Sequence, residues 1–331
     1  MVSFRIFIVK YFSSCYFYVK IVRNPKKQRV LPKVCRNIDE PFPLPYNEDK
    51  PSAESRFPFR TWLFYRKESC IMKLSLFKNG LCGSTLKITA MFFMLIDHTG
   101  AVLVLRIIRA LGGTTSMTPE AYQAFMSEYS WLVTLYDCMR LAGRLAFPLF
   151  CFLLVEGFLH TRHLTRYLFS LGLFALISDP CFDLALNGTP ADFSSQNVFF
   201  TLFLGLLAMW GIRQIETCLP SIPASAAWLL KCAVLVLGAA AAWLLKTDYG
   251  AYGVFCIGLM YLFRAHRGQA FIFGCIPLVL LSDSQLFSFF ALPLVLAYNG
   301  KRGLSLKYFF YGFYPVHLLF LYLLCTVLGI A

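Results

Sequence analysis

The chain has 331 residues, of which 58% are hydrophobic and 17% aromatic while only 15% are charged; soluble domains average roughly 45–50% apolar and about 25% charged. That balance excludes a soluble enzyme of ordinary composition. Because the apolar residues fall in runs near the roughly 20 needed to cross a hydrocarbon core, it predicts a polytopic membrane protein. The net charge of +14 does not point to nucleic acid: residues 1–71 hold 14 Lys and Arg against 6 Asp and Glu, and the remaining excess clusters in alternate loops, which is a topology signal.

Taken in chain order, residues 1–29 form an aromatic stretch interrupted by Arg5, Lys10 and Lys20, a poor span that lacks a small-residue cleavage site. The stretch after it is rich in Pro and charge and has no hydrophobic period, so it reads as linker. Residues 1–71 are therefore expected to be a poorly structured basic extension, with translation expected to start at Met72 and a cytoplasmic tail as the alternative. From Met72 to 331 the chain reads as one all-α membrane domain of about nine helices, eight to ten. Its apolar segments lie near 86–106, 131–159, 164–186, 197–212, 225–246, 250–264, 270–282, 286–299 and 306–330. The segments 270–282 and 286–299 are short for a span and are expected to be tilted or re-entrant.

The loops sort by charge. Lys73 and Lys78, then His160, Arg162, His163 and Arg166, then Arg213, then Arg264 and Arg267, then Lys301, Arg302 and Lys307 occupy the start and every second connection. The intervening loops are neutral or acidic, so the Met72 end is expected to be cytoplasmic, in a bacterial inner membrane. Arg106 and Arg109 run against this pattern. The twelve cysteines make no CxxC pair and mostly lie in apolar runs, so neither a disulfide framework nor a metal site is expected.

Ionisable residues at bilayer depth are costly and mark functional candidates. In the first segment Lys87 and His98 are eleven residues apart, which is about 16 Å of rise and about 20° of azimuth, so they share one face. Asp97 points about 100° away, toward a neighbouring helix. In the second segment Arg140 and Arg144 are one turn apart and need anionic partners, either carboxylates or a phosphate-bearing ligand. Pro148 is expected to kink this helix before Glu156. Glu156, His160 and His163 share a face, but a solvated basic loop explains the two histidines more simply than a metal does. Asp179 and Asp183, one turn apart around Pro180, are the expected counter-ions of Arg140 or Arg144. His317 follows Pro315 in an aromatic stretch, where a packing role and a functional one both remain open.

The runs KITAMFFMLIDHTGAVL, RLAFPLFCFLLVEGFLHTRH, FALISDPCFDLALNG and YFFYGFYPVHLLFLYLL, in that order, resemble the TraX family, named for a conjugative-pilus protein that acetylates pilin. The resemblance covers 85–331 and none of 1–71. It implies an integral membrane acyltransferase that uses acetyl-CoA, with a pilin-like N-terminus or a surface-glycan hydroxyl as acceptor, and a lipid bilayer as its surroundings. Membrane acyltransferases of surface sugars look distantly related; their basic residue, ten residues and His are matched by Lys87 and His98, and Glu156 stands where Ser is common. On this reading His98 is the base, Asp97 orients it or pairs with an Arg, Lys87 holds a coenzyme A phosphate, and Arg140 or Arg144 holds phosphate or the developing oxyanion. Glu156 and His317 complete the expected binding residues. The rival readings are a transporter and a noncatalytic part of a conjugation machine.

Overall fold

A computed structural model describes residues 80–114, 117–305 and 307–330. The extension 1–71 and the expected start at Met72 lie outside the described residues. Each apolar segment from 86 onward contains helix. The helices are α1 (Gly83–Ala110), α2 (Pro119–Gly143), α3 (Ala146–His160), α4 (Leu164–Asn187), α5 (Val198–Cys218), α6 (Ala224–Leu244), α7 (Gly250–Leu262), α8 (Arg267–Leu281), a 3-10 stretch Asp283–Ala291 that runs into α9 (Leu292–Leu296), and α10 (Lys307–Val327). Among the described residues there is no β-strand, only two isolated backbone bridges.

Among the described residues, six helical stretches are long and apolar enough to cross a membrane: α1, the α2–α3 path, α4, α5, α6 and α10. This makes the chain a multi-pass membrane protein. The shorter apolar helices among the described residues are Gly250–Leu262, Arg267–Leu281 and Asp283–Leu296. The 15 residues of α8 rise only about 22 Å, short of a hydrocarbon core of roughly 30 Å.

The segment at 131–159 differs from its sequence reading. The helix begins at Pro119, whose missing N–H costs nothing at the first position, and Thr118 caps it by accepting from Ala121 N at 3.3 Å. It is interrupted at Arg144–Leu145 and resumes at Ala146, directly after the Arg pair and ahead of Glu156, where the sequence places the kink. Pro148 sits in the first turn of α3. It has no N–H to offer the Arg144 carbonyl four residues earlier, and Ser288 Oγ donates to that carbonyl at 3.1 Å instead.

Two backbone clips tie the ends of the bundle. At the basic end the N–H groups of Gly83 and Ser84, orphaned at the start of α1, donate to the carbonyls of Lys301 and Arg302 at 2.7 and 3.0 Å. At the opposite end Gln196 N donates to Lys246 O at 3.0 Å and Asp248 N donates to Gln196 O at 2.8 Å. Arg106, anomalous for a loop cation, caps α4: its guanidinium donates to the carbonyls of Leu184 and Ala185 at 3.3 and 3.0 Å. The core is centred on α3, where Leu149, Cys151 and Phe158 are fully buried; α6 leaves Leu229, Leu237, Trp243 and Leu244 outward.

Candidate functional site

His98 ends the first, regular part of α1, and the six residues that follow, Thr99–Val104, form a π-helical turn. Such wide turns redirect side chains and concentrate at functional sites. Across from it, α10 presents His317. His98 Nδ1 and His317 Nε2 are 2.6 Å apart, and His317 Nδ1 lies 2.7 Å from the Phe313 carbonyl. A carbonyl oxygen only accepts, so His317 Nδ1 carries a proton. In the neutral ring His317 Nε2 is then an acceptor and His98 Nδ1 the donor to it. This assignment, made from the hydrogen-bond pattern, leaves Nε2 as the lone-pair nitrogen of His98.

Asp97 turns to α2. Its Oδ2 pairs with Arg140 at 2.6 Å, and Arg140 also reaches the Asp97 carbonyl at 3.4 Å. Gly143 makes the approach feasible: a Cβ there would lie 2.2 Å from Asp97 Oδ1. Gly100 does the same one turn on, where a Cβ would meet that of Met139 at 3.2 Å. Asp97 Oδ1 has no hydrogen-bond partner among the described residues, nor does Arg144 Nε.

A cavity of about 50 Å³ opens beside these groups, lined by Asp97, His98, Gly143, Asp248, Tyr249 and Tyr314 together with an apolar wall that includes Met94, Phe147 and Phe150. The loop KTDYG, an ordinary acidic connection in the sequence, supplies two of the lining residues. It is held inward because Thr201 Oγ1 donates to the Asp248 carbonyl and lies 2.9 Å from Thr247 Oγ1. Tyr249 adopts φ +62, a conformation costly for a bulky side chain, and its ring stacks on Phe147 at 3.7 Å between centroids. No periodicity signalled Asp248 or Tyr249. Tyr314 was within sight, one turn before His317 on the same helix.

The remaining sequence candidates separate. Asp179 and Asp183 do not pair with Arg140 or Arg144. Asp179 accepts from Asn197 Nδ2 at 2.8 Å and Asp183 from the Asp192 N–H at 2.8 Å, so they order the 188–197 connection and the start of α5. The counter-ion of Arg140 is Asp97, one residue from the histidine and on a helix that contacts α2 directly. Glu156 lies away from His98, in a smaller cavity with Arg264 and Arg267, and its Oε2 has no partner among the described residues. His160 bonds to the Glu156 carbonyl at 2.8 Å. Lys87 rests its Nζ over the Phe310 ring at 5.2 Å, so both Lys87 and His98 face α10. It makes no ion pair among the described residues.

Outside the spans, Cys82 precedes α1 with its sulfur 3.1 Å from both Ser84 Oγ and Thr85 Oγ1. Hydrogen bonds from the Ser84 and Thr85 side chains, and from the Thr85 backbone, lower its thiol pKa to about 7.

These features define a multi-pass helical membrane protein with a histidine pair and a polar cavity inside the bundle. A family model described as TraX protein matches residues 82–325, and the chain belongs to the TraX family. A similar protein from Dichelobacter nodosus, named probable fimbrial assembly protein FimC, serogroup H1, is 33% identical over 230 residues, covering 61% of this chain and 86% of that protein. No solved structure matches.

Proposed function

We propose that this chain is an acyltransferase of the bacterial inner membrane that moves an acetyl group from acetyl-CoA to an acceptor amine or hydroxyl, with the Met72 end cytoplasmic. The observation that carries this reading is the histidine relay. Phe313 O fixes the tautomer of His317, His317 fixes that of His98, and His98 Nε2 is left as a base beside a cavity. Acetyl-CoA, a substrate consumed in each turnover, supplies an activated thioester carbonyl. His98 takes the proton from the attacking amine or hydroxyl as it bonds to that carbon.

The basic end has the chemistry to receive the donor. Lys87 lies without a carboxylate partner among the described residues, close enough to Arg302 to feel its charge, and an anionic phosphate there relieves that repulsion. The cavity lies at the depth of His98, where a donor from one side of the bilayer and an acceptor from the other meet. The fimbrial-assembly name of the relative supports a pilin-like protein as acceptor, with a surface glycan as the alternative. Arg140, engaged with Asp97, is a positioning residue for the loop and helix around His98.

The test supplies labelled acetyl-CoA to membranes containing the protein together with a pilin-like peptide or a surface glycan. Label is expected in one of these acceptors, with a loss of about 10²–10⁴-fold in His98→Ala. Incorporation by His98→Ala equal to that of the unmodified protein removes the base assignment. Absence of label from both acceptors, with the protein intact, favours transport or an assembly role.

A further inference from the structure

Neither Arg140 nor Arg144 lines the cavity beside His98; two carboxylates do. Asp97 gives one oxygen to Arg140 at 2.6 Å and leaves the other, Oδ1, without a hydrogen-bond partner among the described residues. Asp248 faces the same space from the connection between α6 and α7. Burial first, and the Asp97 charge next, raise its carboxyl pKa to about 6, partly offset by the Tyr249 N–H and by the Arg140 and Arg144 charges. At neutral pH it therefore stands ionised beside a second carboxylate, a costly arrangement that a cation relieves.

The rest of the lining also suits a cation. Phe147, Phe150, Tyr249 and Tyr314 surround the carboxylates with aromatic rings, whose negative faces attract an ammonium group. Tyr314 is 2% exposed, and its O–H finds no acceptor among the described residues. Its ring is held edge-on to His98 at 5.8 Å and to Phe199, at the start of α5, at 5.2 Å between centroids. A volume of about 50 Å³ admits an amino group and the carbon that bears it. The acceptors match as well: a primary ammonium carries three N–H donors, and Asp97 Oδ1, the Asp248 carboxylate and the His98 Nε2 lone pair line one cavity to receive them. A hydroxyl has a single proton to donate and leaves the carboxylates unanswered.

We infer that Asp97 Oδ1 and Asp248 bind the acceptor as a primary ammonium ion, and that Asp248 takes its first proton so that a neutral amine attacks. This rests on the acyltransferase reading above and narrows its acceptor to an amine. An ammonium nitrogen has no lone pair, so it loses one proton before bonding to carbon and a second afterwards. Asp248 accepts the first, and the freed lone pair bonds to the thioester carbon while the carbonyl π pair moves to oxygen. When that pair returns, the carbon–sulfur bond breaks and sulfur leaves with its electrons. His98 carries the second nitrogen proton to that sulfur, the third stays on the amide, and Asp248 releases its own to solvent, one per turnover.

Asp248→Asn keeps the shape and removes both charge and base, and Asp248→Glu restores both. The probes are a pilin-like peptide with a free α-amine and the same peptide with an α-hydroxyl in its place, offered to the purified protein in detergent. By equilibrium dialysis the amine peptide is expected to bind more tightly than the hydroxy peptide. It is expected to lose about 10-fold in affinity in Asp248→Asn and much less in Asp248→Glu. With labelled acetyl-CoA, kcat/KM for the amine peptide is expected to fall about 10²-fold in Asp248→Asn at neutral pH. That deficit should shrink as pH rises past about 8, where a peptide α-amine loses its proton in water. The other groups around Asp248, namely Asp97, His98, Arg140, Arg144, Tyr249 and Tyr314, are the same in every protein compared, so the ratio reads Asp248 alone.

Equal binding of the two peptides, or transfer by Asp248→Asn equal to that of the unmodified protein, overturns the ammonium site while leaving acyl transfer standing. Amine binding that depends on Asp248, with no label transferred to the peptide, overturns the acyltransferase reading and leaves the ammonium site in place. A monodisperse elution profile and an unchanged melting temperature in detergent establish that each variant is folded.

Discussion

Two charged clusters lie among the helices, and they are completed differently. Where α5, α6 and α7 converge, Glu216 takes Lys231 on Oε1 and Arg264 on Oε2, each at 2.8 Å, and Tyr261 adds a hydroxyl at 3.4 Å. Both carboxylate oxygens are engaged by partners from neighbouring elements, and the cluster has the form of a structural joint. Around His98 the pairing stops short: Asp97 Oδ1, Arg144 Nε and Tyr314 Oη are buried without partners among the described residues, two of them on residues that line a cavity. Buried polar groups are usually satisfied, so the unmet groups beside the histidine pair set this cluster apart from the joint. A count of charges at depth would not have separated the two clusters; the state of their hydrogen bonds does.

The comparison is broken most directly at His317. His317→Phe keeps an aromatic ring against Phe313 but removes the acceptor that fixes the His98 tautomer. Transfer measured with labelled acetyl-CoA is expected to fall by roughly 10²-fold while the melting temperature in detergent stays within error. Full activity in His317→Phe would mean the relay has no part in transfer.

The structural joint is expected to respond in the opposite sense. Glu216→Gln leaves Lys231 and Arg264 without their carboxylate, and a loss of about 1 kcal/mol of stability is expected by denaturant titration of the purified protein. Transfer by the fraction that remains folded should be unchanged. A kinetic defect without a stability loss would make the two clusters functionally alike.

The smallest effect is expected outside both clusters, at Cys82. Its alkylation rate should rise with pH through a midpoint near 7 and level off above it, because only the thiolate reacts. Ser84→Ala, which removes the largest of the lowering interactions, should move that midpoint toward the ordinary thiol value near 8.5. Acetyl transfer is expected not to change. A midpoint unaffected by Ser84→Ala would show that the Ser84 hydroxyl does not stabilise the thiolate.

Much of the fold was legible because lipid simplifies the code. Apolar runs become helices when no water is available to satisfy the backbone, and the nine segments from 86 onward all contain helix. The break in the second was legible too, because Pro148 lacks the N–H that would bond the Arg144 carbonyl four residues earlier, and the helix is interrupted there. What the sequence did not show is that Ser288 of a distant segment supplies the donor this carbonyl would otherwise lack. Asp179 and Asp183 were assigned to the arginines on charge alone, whereas Asn197 and Asp192 offered them closer N–H donors from the connection that follows α4.

By itself the sequence determined the solvent, the helical class and a short roster of polar residues at depth, because hydrophobicity and helical period are properties of local runs. It also placed Lys87 and His98 on one face, since that follows from spacing within one helix. The tertiary structure decided which of those residues meet. His98 and His317 are 219 positions apart, and only the docking of α10 on α1 brings Nδ1 of one to Nε2 of the other. The inward fold of the Asp248–Tyr249 loop and the meeting of Tyr314 with the start of α5 were decided the same way. Hydrogen bonds act over about 3 Å, and no local pattern encodes which distant donor will arrive within that distance.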